Sequence, residues 1–180
     1  MRPSPVLFCL SAATMLSCSN RPAVAGHEPT EDETAVLMAV ERFFETMTSR
    51  DATGARAVLD PEGDFVSVRW NDDGESVVRR APNRDYLDGL PGETETYLER
   101  MWDSEVLIHG PIAIVWTPYD FHIDGEFSHC GVDAFQLLLT EAGWIITGGT
   151  YTVERTGCPE SALGPLVDPG TEEGRTAAGT

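Results

Sequence analysis

The chain has 180 residues, of which 30 are acidic and 12 basic, for a formal net charge of -18. Every basic residue is Arg, and a field of this sign repels nucleic acid and anionic lipid headgroups, so neither is expected as a partner. The length suits one domain with extra pieces at its ends, large enough to enclose a core and a cavity.

The N-terminus reads Met1-Arg2-Pro3-Ser4-Pro5 and then "VLFCLSAATML", a positive start followed by a mostly apolar run of signal-peptide length. The run is too short for a permanent membrane helix. Two cleavage readings compete. "AVA" at Ala23 to Ala25 fits signal peptidase, removing residues 1–25 and releasing a soluble protein at Gly26. "MLSC" at Met15 to Cys18 resembles a lipobox, with Met15 where Leu is usual; it would remove residues 1–17 and leave lipidated Cys18 first. Arg21 and Pro22 sit awkwardly in the first site and favour the second. Either way the protein is exported, as an envelope lipoprotein or a periplasmic or extracellular domain, and meets a membrane only through a lipid anchor. Export leaves Cys130 and Cys158 in the folded part, and two thiols in an oxidising compartment point to one disulfide.

Thr30 with Glu33 three residues later is a capping box, which starts a helix at Glu31. Val36, Val40, Phe43, Phe44 and Met47 recur at helical spacing opposite Glu41, Arg42 and Glu45, an amphipathic helix packed on something apolar. "DATGARAVLD" predicts a short second helix capped by Asp51 and stopped before Pro61. "DFVSVRW" and "ESVVRR" read as strands around the turn "NDDG", and "NRDYLDGL" as a helical turn. Longer β-like runs follow at 97–108, 112–123, 126–140 and 144–154, with hairpin chemistry at the joints, above all Asp124-Gly125. From residue 159 to 180 the composition predicts a disordered tail. The order, helices first and then successive hairpins, is α+β: N-terminal helices packed on one face of a curved antiparallel sheet, with the domain spanning 26–158.

Two stretches, "VERFFETMTSRDATGARAVLDPEGDFVSV" and "FSHCGVDAFQLLLTEAGWIITGGTYTVE", resemble the nuclear transport factor 2-like superfamily, in particular its SnoaL-like and lumazine-binding-like domains. The resemblance covers roughly residues 31 to 156. It implies a cone-shaped fold with a pocket between the helices and the concave sheet, commonly a homodimer through the sheet, and mostly metal-free members. It does not imply a reaction, because the same cone serves isomerases, dehydratases, polyketide cyclases, an epoxide hydrolase and pure binding or assembly modules.

The candidate chemistry lies in "YDFHIDGEFSHCGVD", residues 119 to 133. A two-residue turn at Asp124-Gly125 would place Asp120 opposite His129 and Trp116 opposite Asp133, with Phe135 on the same face. A three-residue turn at Glu141 to Gly143 adds Tyr151 opposite Asp133. An Asp120–His129 pair is what a general base needs, since the carboxylate fixes the imidazole tautomer, and Asp133 beside Trp116 suits a carboxyl of raised pKa. Asp120, His129 and Asp133 are therefore the candidate catalytic residues, and Trp116, Tyr151, Phe135 and Trp70 the candidate pocket lining. The bland alternative is a structural ion pair for Asp120 and His129 and a structural hydrogen bond for Asp133. His122, His129 and Asp120 could approach a zinc ion, but no third ligand is securely placed, so neither a metal nor a cofactor is expected. Cys130, facing the other way opposite Glu154, comes within reach of Cys158.

Three functions fit these features. The leading one is an exported domain that binds a small, largely apolar molecule. The second is a cofactor-independent lyase, isomerase or hydrolase. The third is a dimerising envelope module whose cone is filled by Phe43, Phe44, Trp70 and Trp102.

Overall fold

A computed structural model describes residues 28–166. The export signal, both cleavage sites, Cys18 and the last part of the tail lie outside the described residues.

The first helix, α1 (Glu31–Ser49), starts where its capping box puts it: the Thr30 amide donates to Glu33 Oε2 at 2.6 Å and the Glu33 amide to Thr30 Oγ1 at 3.2 Å. It ends at Arg50 in the left-handed conformation, φ 57°. Asp51 caps α2 (Ala52–Val58) through its Oδ1, which accepts from the amides of Thr53 and Gly54.

Seven strands follow: β1 (Leu59–Trp70), β2 (Ser76–Pro82), β3 (Tyr97–Met101), β4 (Glu105–His109), β5 (Ile112–Ile123), β6 (Glu126–Thr140) and β7 (Gly143–Val153). Helix α3 (Asn83–Gly89) and a single 3-10 turn, Leu90–Gly92, join β2 to β3. The sheet order is β2-β1-β7-β6-β5-β3, with β4 also on β5. It is mixed rather than purely antiparallel, because β1 returns beside β7 in parallel. The run expected as one strand over 97–108 is broken at Trp102 to Ser104, with Asp103 at φ 47°. Pro118 on the facing strand has no N–H to give the ladder there; its carbonyl alone is used, by the Trp102 amide.

The helices cover one face of the sheet. Val36, Val40, Phe43, Phe44 and Met47 of α1 pack with Val115, Phe135, Leu137 and Ile146 of the strands in one buried cluster. Burying each such side chain is worth roughly 1.5–3 kcal/mol, which makes this layer the dominant stabilising contact of the fold. The other face leaves Leu107, Ile112, Ile114, Trp116 and Leu138 exposed.

Cys130 and Cys158 form a disulfide with Cα atoms 5.9 Å apart. Cys130 also pairs through its backbone with Glu154, as expected. Residues 159–166, where the disordered tail was expected to begin, are turns and irregular chain. Pro159, Ser161 and Leu166 face Arg100, Asp120 and His122 across a cleft on the outer face.

Candidate functional site

The Asp124-Gly125 turn pairs Ile123 with Glu126 and His122 with Phe127, as its chemistry dictates. One residue later the register shifts. Ser128 is an extra residue on β6, so Phe121, not Asp120, meets His129. Because side chains alternate, a one-residue slip moves every later partner to the other face. Thr117 therefore faces Asp133 and Val115 faces Phe135, while Asp120 pairs with Cys130 and Trp116 with Ala134.

The expected cluster is thus divided. His129, Asp133, Phe135 and Tyr151 share the concave face and line a cavity of about 270 Å³. Asp120 and Trp116 point outward, and the Asp120–His129 pair is not formed. Trp116 is 53% exposed and Trp70, at the far end of β1, is 52% exposed, so neither reaches the cavity. Tyr151 does lie opposite Asp133, but by a different route: the β6–β7 turn has two residues, Glu141 and Ala142, and the third comes from a bulge at Thr147. His122 lies on the outer face, so the zinc set considered from sequence does not gather.

On the outer face Asp120 is held by Arg100, whose Nε donates to Oδ1 at 2.8 Å and whose Nη2 donates to Oδ2 at 2.5 Å. His122 Nε2 stands 3.2 Å from the same Oδ1, and Ser161 of the tail adds a hydrogen bond. Burial opposes the charged form of Asp120, but the bonds and charge of Arg100, then the charge of His122, outweigh it and hold the carboxyl below its ordinary range. The group is a compensated structural ion cluster.

Inside the cavity the arrangement is reversed. On β3, Tyr97, Glu99 and Met101 face inward by alternation, which puts Glu99 on an apolar face with its hydrogen bond directed to Asp133. Among the described residues, no Arg lines this cavity. Burial raises the Glu99 carboxyl well above its usual range, and the neighbouring Asp133 charge raises it further. Burial likewise pushes Asp133 up to about 7, although the hydrogen bond from Glu99 pulls the other way. The two carboxyls therefore retain a shared proton near neutral pH, as closely set buried acids do. Asp133 Oδ2 and the Tyr86 hydroxyl are buried without a hydrogen-bond partner among the described residues.

Aromatic rings build the walls. Phe43 stacks on Phe65 at 5.8 Å and tilts against Tyr86 at 5.5 Å, while Phe65 meets Tyr151 edge-on at 6.4 Å. His129 stacks on Phe121 at 4.8 Å and bonds through Nδ1 with Ser128 Oγ at 3.0 Å; burial, then the charge of Arg155, lowers its pKa and favours the neutral form. Tyr119 spends its hydroxyl proton on the Thr152 carbonyl at 2.7 Å. Gly131 makes this possible, because a Cβ there would lie 2.1 Å from that carbonyl oxygen and 2.8 Å from the Tyr119 ring. Exposed Ala81 and Pro82 stand at the rim.

Glu99 and Tyr86 are the residues that the sequence reading missed. The signal for Glu99 was present in "YLERM", where alternation groups it with Tyr97 and Met101.

No protein-family model matches the chain, and no curated protein matches it by sequence. Solved structures do match. A nuclear transport factor 2-like protein from Cytophaga hutchinsonii aligns with a TM-score of 0.56 at 12% identity, covering 69% of this chain and 99% of that one. A nuclear transport factor 2-like superfamily protein from Salmonella enterica gives 0.52 at 16% identity, covering 71% and 97%. A CaMKII hub from S. rosetta gives 0.52 at 13% identity, covering 70% and 99%. At such identities the likeness establishes the architecture: the chain has the nuclear transport factor 2-like fold.

Proposed function

We propose that this chain is an exported domain that binds a small, largely apolar molecule with one polar end in the concave cavity. The observation that carries the reading is an aromatic-walled cavity of about 270 Å³ at which Asp133 Oδ2 and the Tyr86 hydroxyl are buried with no partner. A buried acceptor left unpaired costs about 1–3 kcal/mol, and a ligand donor would recover it. Phe43 and Phe44 belong to the core but leave this space open, whereas Trp70 lies outside it, which weighs against a filled, purely assembling cone.

The test is ligand-observed NMR with a panel of one-ring compounds, on the native chain and on Ala81→Trp, which places an indole at the rim. Saturable binding that Ala81→Trp abolishes is the expected result. Equal signals from both proteins, or none from either, would refute the reading.

A second reading, cofactor-independent proton transfer, is favoured by one observation: a carboxyl pushed up to about 7 faces the cavity, in the range a general base needs. Asp133 would be the base and Glu99 its partner. The exposed outer residues Ile112, Ile114 and Trp116 support a homodimer through the sheet. Sedimentation equilibrium decides it, and a monomer at micromolar concentration would end it. Export is checked by the mass of the mature chain, which separates a start at lipidated Cys18 from one at Gly26.

A further inference from the structure

We infer that the ligand of the concave cavity is a cationic amine carrying one small apolar group, its ammonium seated at Glu99 and Asp133 and donating to Asp133 Oδ2. This inference rests on the binding reading above and adds the charge and size of what is bound.

Three observations select the class. First, two carboxyls share the cavity and, among the described residues, no Arg or Lys lines it to neutralise a second negative charge there. An anionic ligand would add to the repulsion, and His129, biased to its neutral form, offers no relief. Second, Asp133 Oδ2 lies on a residue only 4% exposed and, among the described residues, is left without a hydrogen-bond partner. An ammonium supplies the missing N–H and the missing positive charge together, and the unpartnered Tyr86 hydroxyl can accept a further N–H. Third, the walls are aromatic: Phe65, Tyr86, Phe121, Phe135 and Tyr151 all line the space. Such rings attract a desolvated cation by about 2 kcal/mol, and they bury an apolar substituent equally well.

The volume sets the size. At about 270 Å³ the cavity exceeds the roughly 150 Å³ that takes a benzene molecule. It accommodates one ring with a short aminoalkyl arm. The net charge of -18 also favours cations at the cavity mouth over anions.

Binding is coupled to a proton. The groups facing the pair are Tyr119 from β5, His129 from β6, Tyr151 from β7, Tyr86 from α3 and Tyr97 from β3. Helix α1 and strand β1 contribute only Phe43, Met47 and Phe65. At a greater distance, Asp120 acts on Glu99, Arg79 on Tyr151 and Arg155 on His129. The facing tyrosines stay protonated, so the carboxyl pair is the proton reservoir. A ligand arriving as an ammonium takes the place of the shared proton, which leaves to solvent; a neutral ligand leaves that proton where it is.

The experiment is isothermal titration of the purified chain at pH 7 with 2-phenylethylamine, 2-phenylethanol and phenylacetate, repeated in two buffers of different ionisation heat. The amine is expected to bind at least about tenfold more tightly than the alcohol, with proton release visible as a buffer-dependent heat, and phenylacetate should not bind. Asp133→Asn should weaken the amine by at least about tenfold and change the alcohol by less than about threefold. Alcohol binding as tight as the amine's, or tighter phenylacetate binding, would overturn the cationic assignment while leaving the binding reading intact. If none of the three binds at millimolar concentration, the assignment falls, and the one-ring NMR panel then says whether the binding reading falls with it. Should Asp133→Asn fail to fold, the three-ligand comparison on the native chain decides alone.

Discussion

Asp120 and Asp133 lie on neighbouring strands of one sheet, 5% and 4% exposed, yet their surroundings drive them in opposite directions. Asp120, on the outer face, has Arg100, His122 and Ser161 around it and is held below its ordinary range. Asp133, on the concave face, has only another acid, Glu99, and is pushed up to about 7. Burial acts upward on both carboxyls, and the partner decides the sign. The outer charge is compensated within the fold, whereas the inner carboxyls lie beside open space with no counter-charge among the described residues lining it.

The largest expected effect comes from unbalancing the outer cluster. Asp120→Asn leaves the Arg100 guanidinium buried without its counter-charge, and breaking such a pair costs about 3–5 kcal/mol. Because the folded pKa of Asp120 is depressed, its contribution is present at neutral pH and is lost as pH falls through that value. Urea unfolding should therefore show a large deficit at pH 7 that shrinks in acid. A double replacement, Arg100→Met with Asp120→Leu, should recover most of the loss, and a deficit that persists unchanged would show that the pair is not what Asp120 contributes.

The inner pair carries the opposite sign. Asp133 has a raised folded pKa, so the fold carries no penalty from it below the ordinary carboxyl range, and the penalty grows as pH rises towards about 7. Raising a buried carboxyl by that amount corresponds to at most about 4 kcal/mol. Asp133→Asn removes the penalty, so the variant should be more stable than the native chain at pH 9, less so at pH 5, and indistinguishable from it only at about pH 3, below the ordinary carboxyl range. Thermal melts across that range check this, and parallel curves for the two proteins would show that Asp133 does not ionise against the fold.

The same contrast explains what was legible in the sequence. Local signals were reliable. The Thr30–Glu33 box, the Asp51 cap, the apolar stripe from Val36 to Met47 and the Asp124-Gly125 turn each act within a few residues, and each appears in the structure where the chain places it. The disulfide partners were readable because only two cysteines follow the expected export signal and the β6–β7 register brings them near. What failed was parity carried over distance. Ser128 has no Gly or Pro beside it to announce a bulge, yet that one extra residue turned Asp120 and Trp116 away from His129 and Asp133. The Tyr151–Asp133 pairing was right only because a shorter turn and a bulge at Thr147 offset each other. Glu99 went unnoticed because the chemistry was sought in the stretch richest in His and Asp, whereas the site is completed by a single acid from another strand.

The smallest expected effect is the most discriminating. The Tyr86 hydroxyl sits at the cavity, buried and without a partner, and burial, then Glu99 and Glu93, make it harder to ionise. In the empty protein that hydroxyl is a liability, so Tyr86→Phe should raise stability by about 1 kcal/mol. With an amine bound, the same hydroxyl accepts an N–H, so the substitution should weaken 2-phenylethylamine severalfold and leave 2-phenylethanol less affected. A structural tyrosine would behave differently: losing its hydroxyl would lower stability and leave affinity alone. Melting and titration of Tyr86→Phe thus ask of one oxygen atom what the two aspartates ask of the whole sheet, whether a buried polar group is there for the fold or for a ligand.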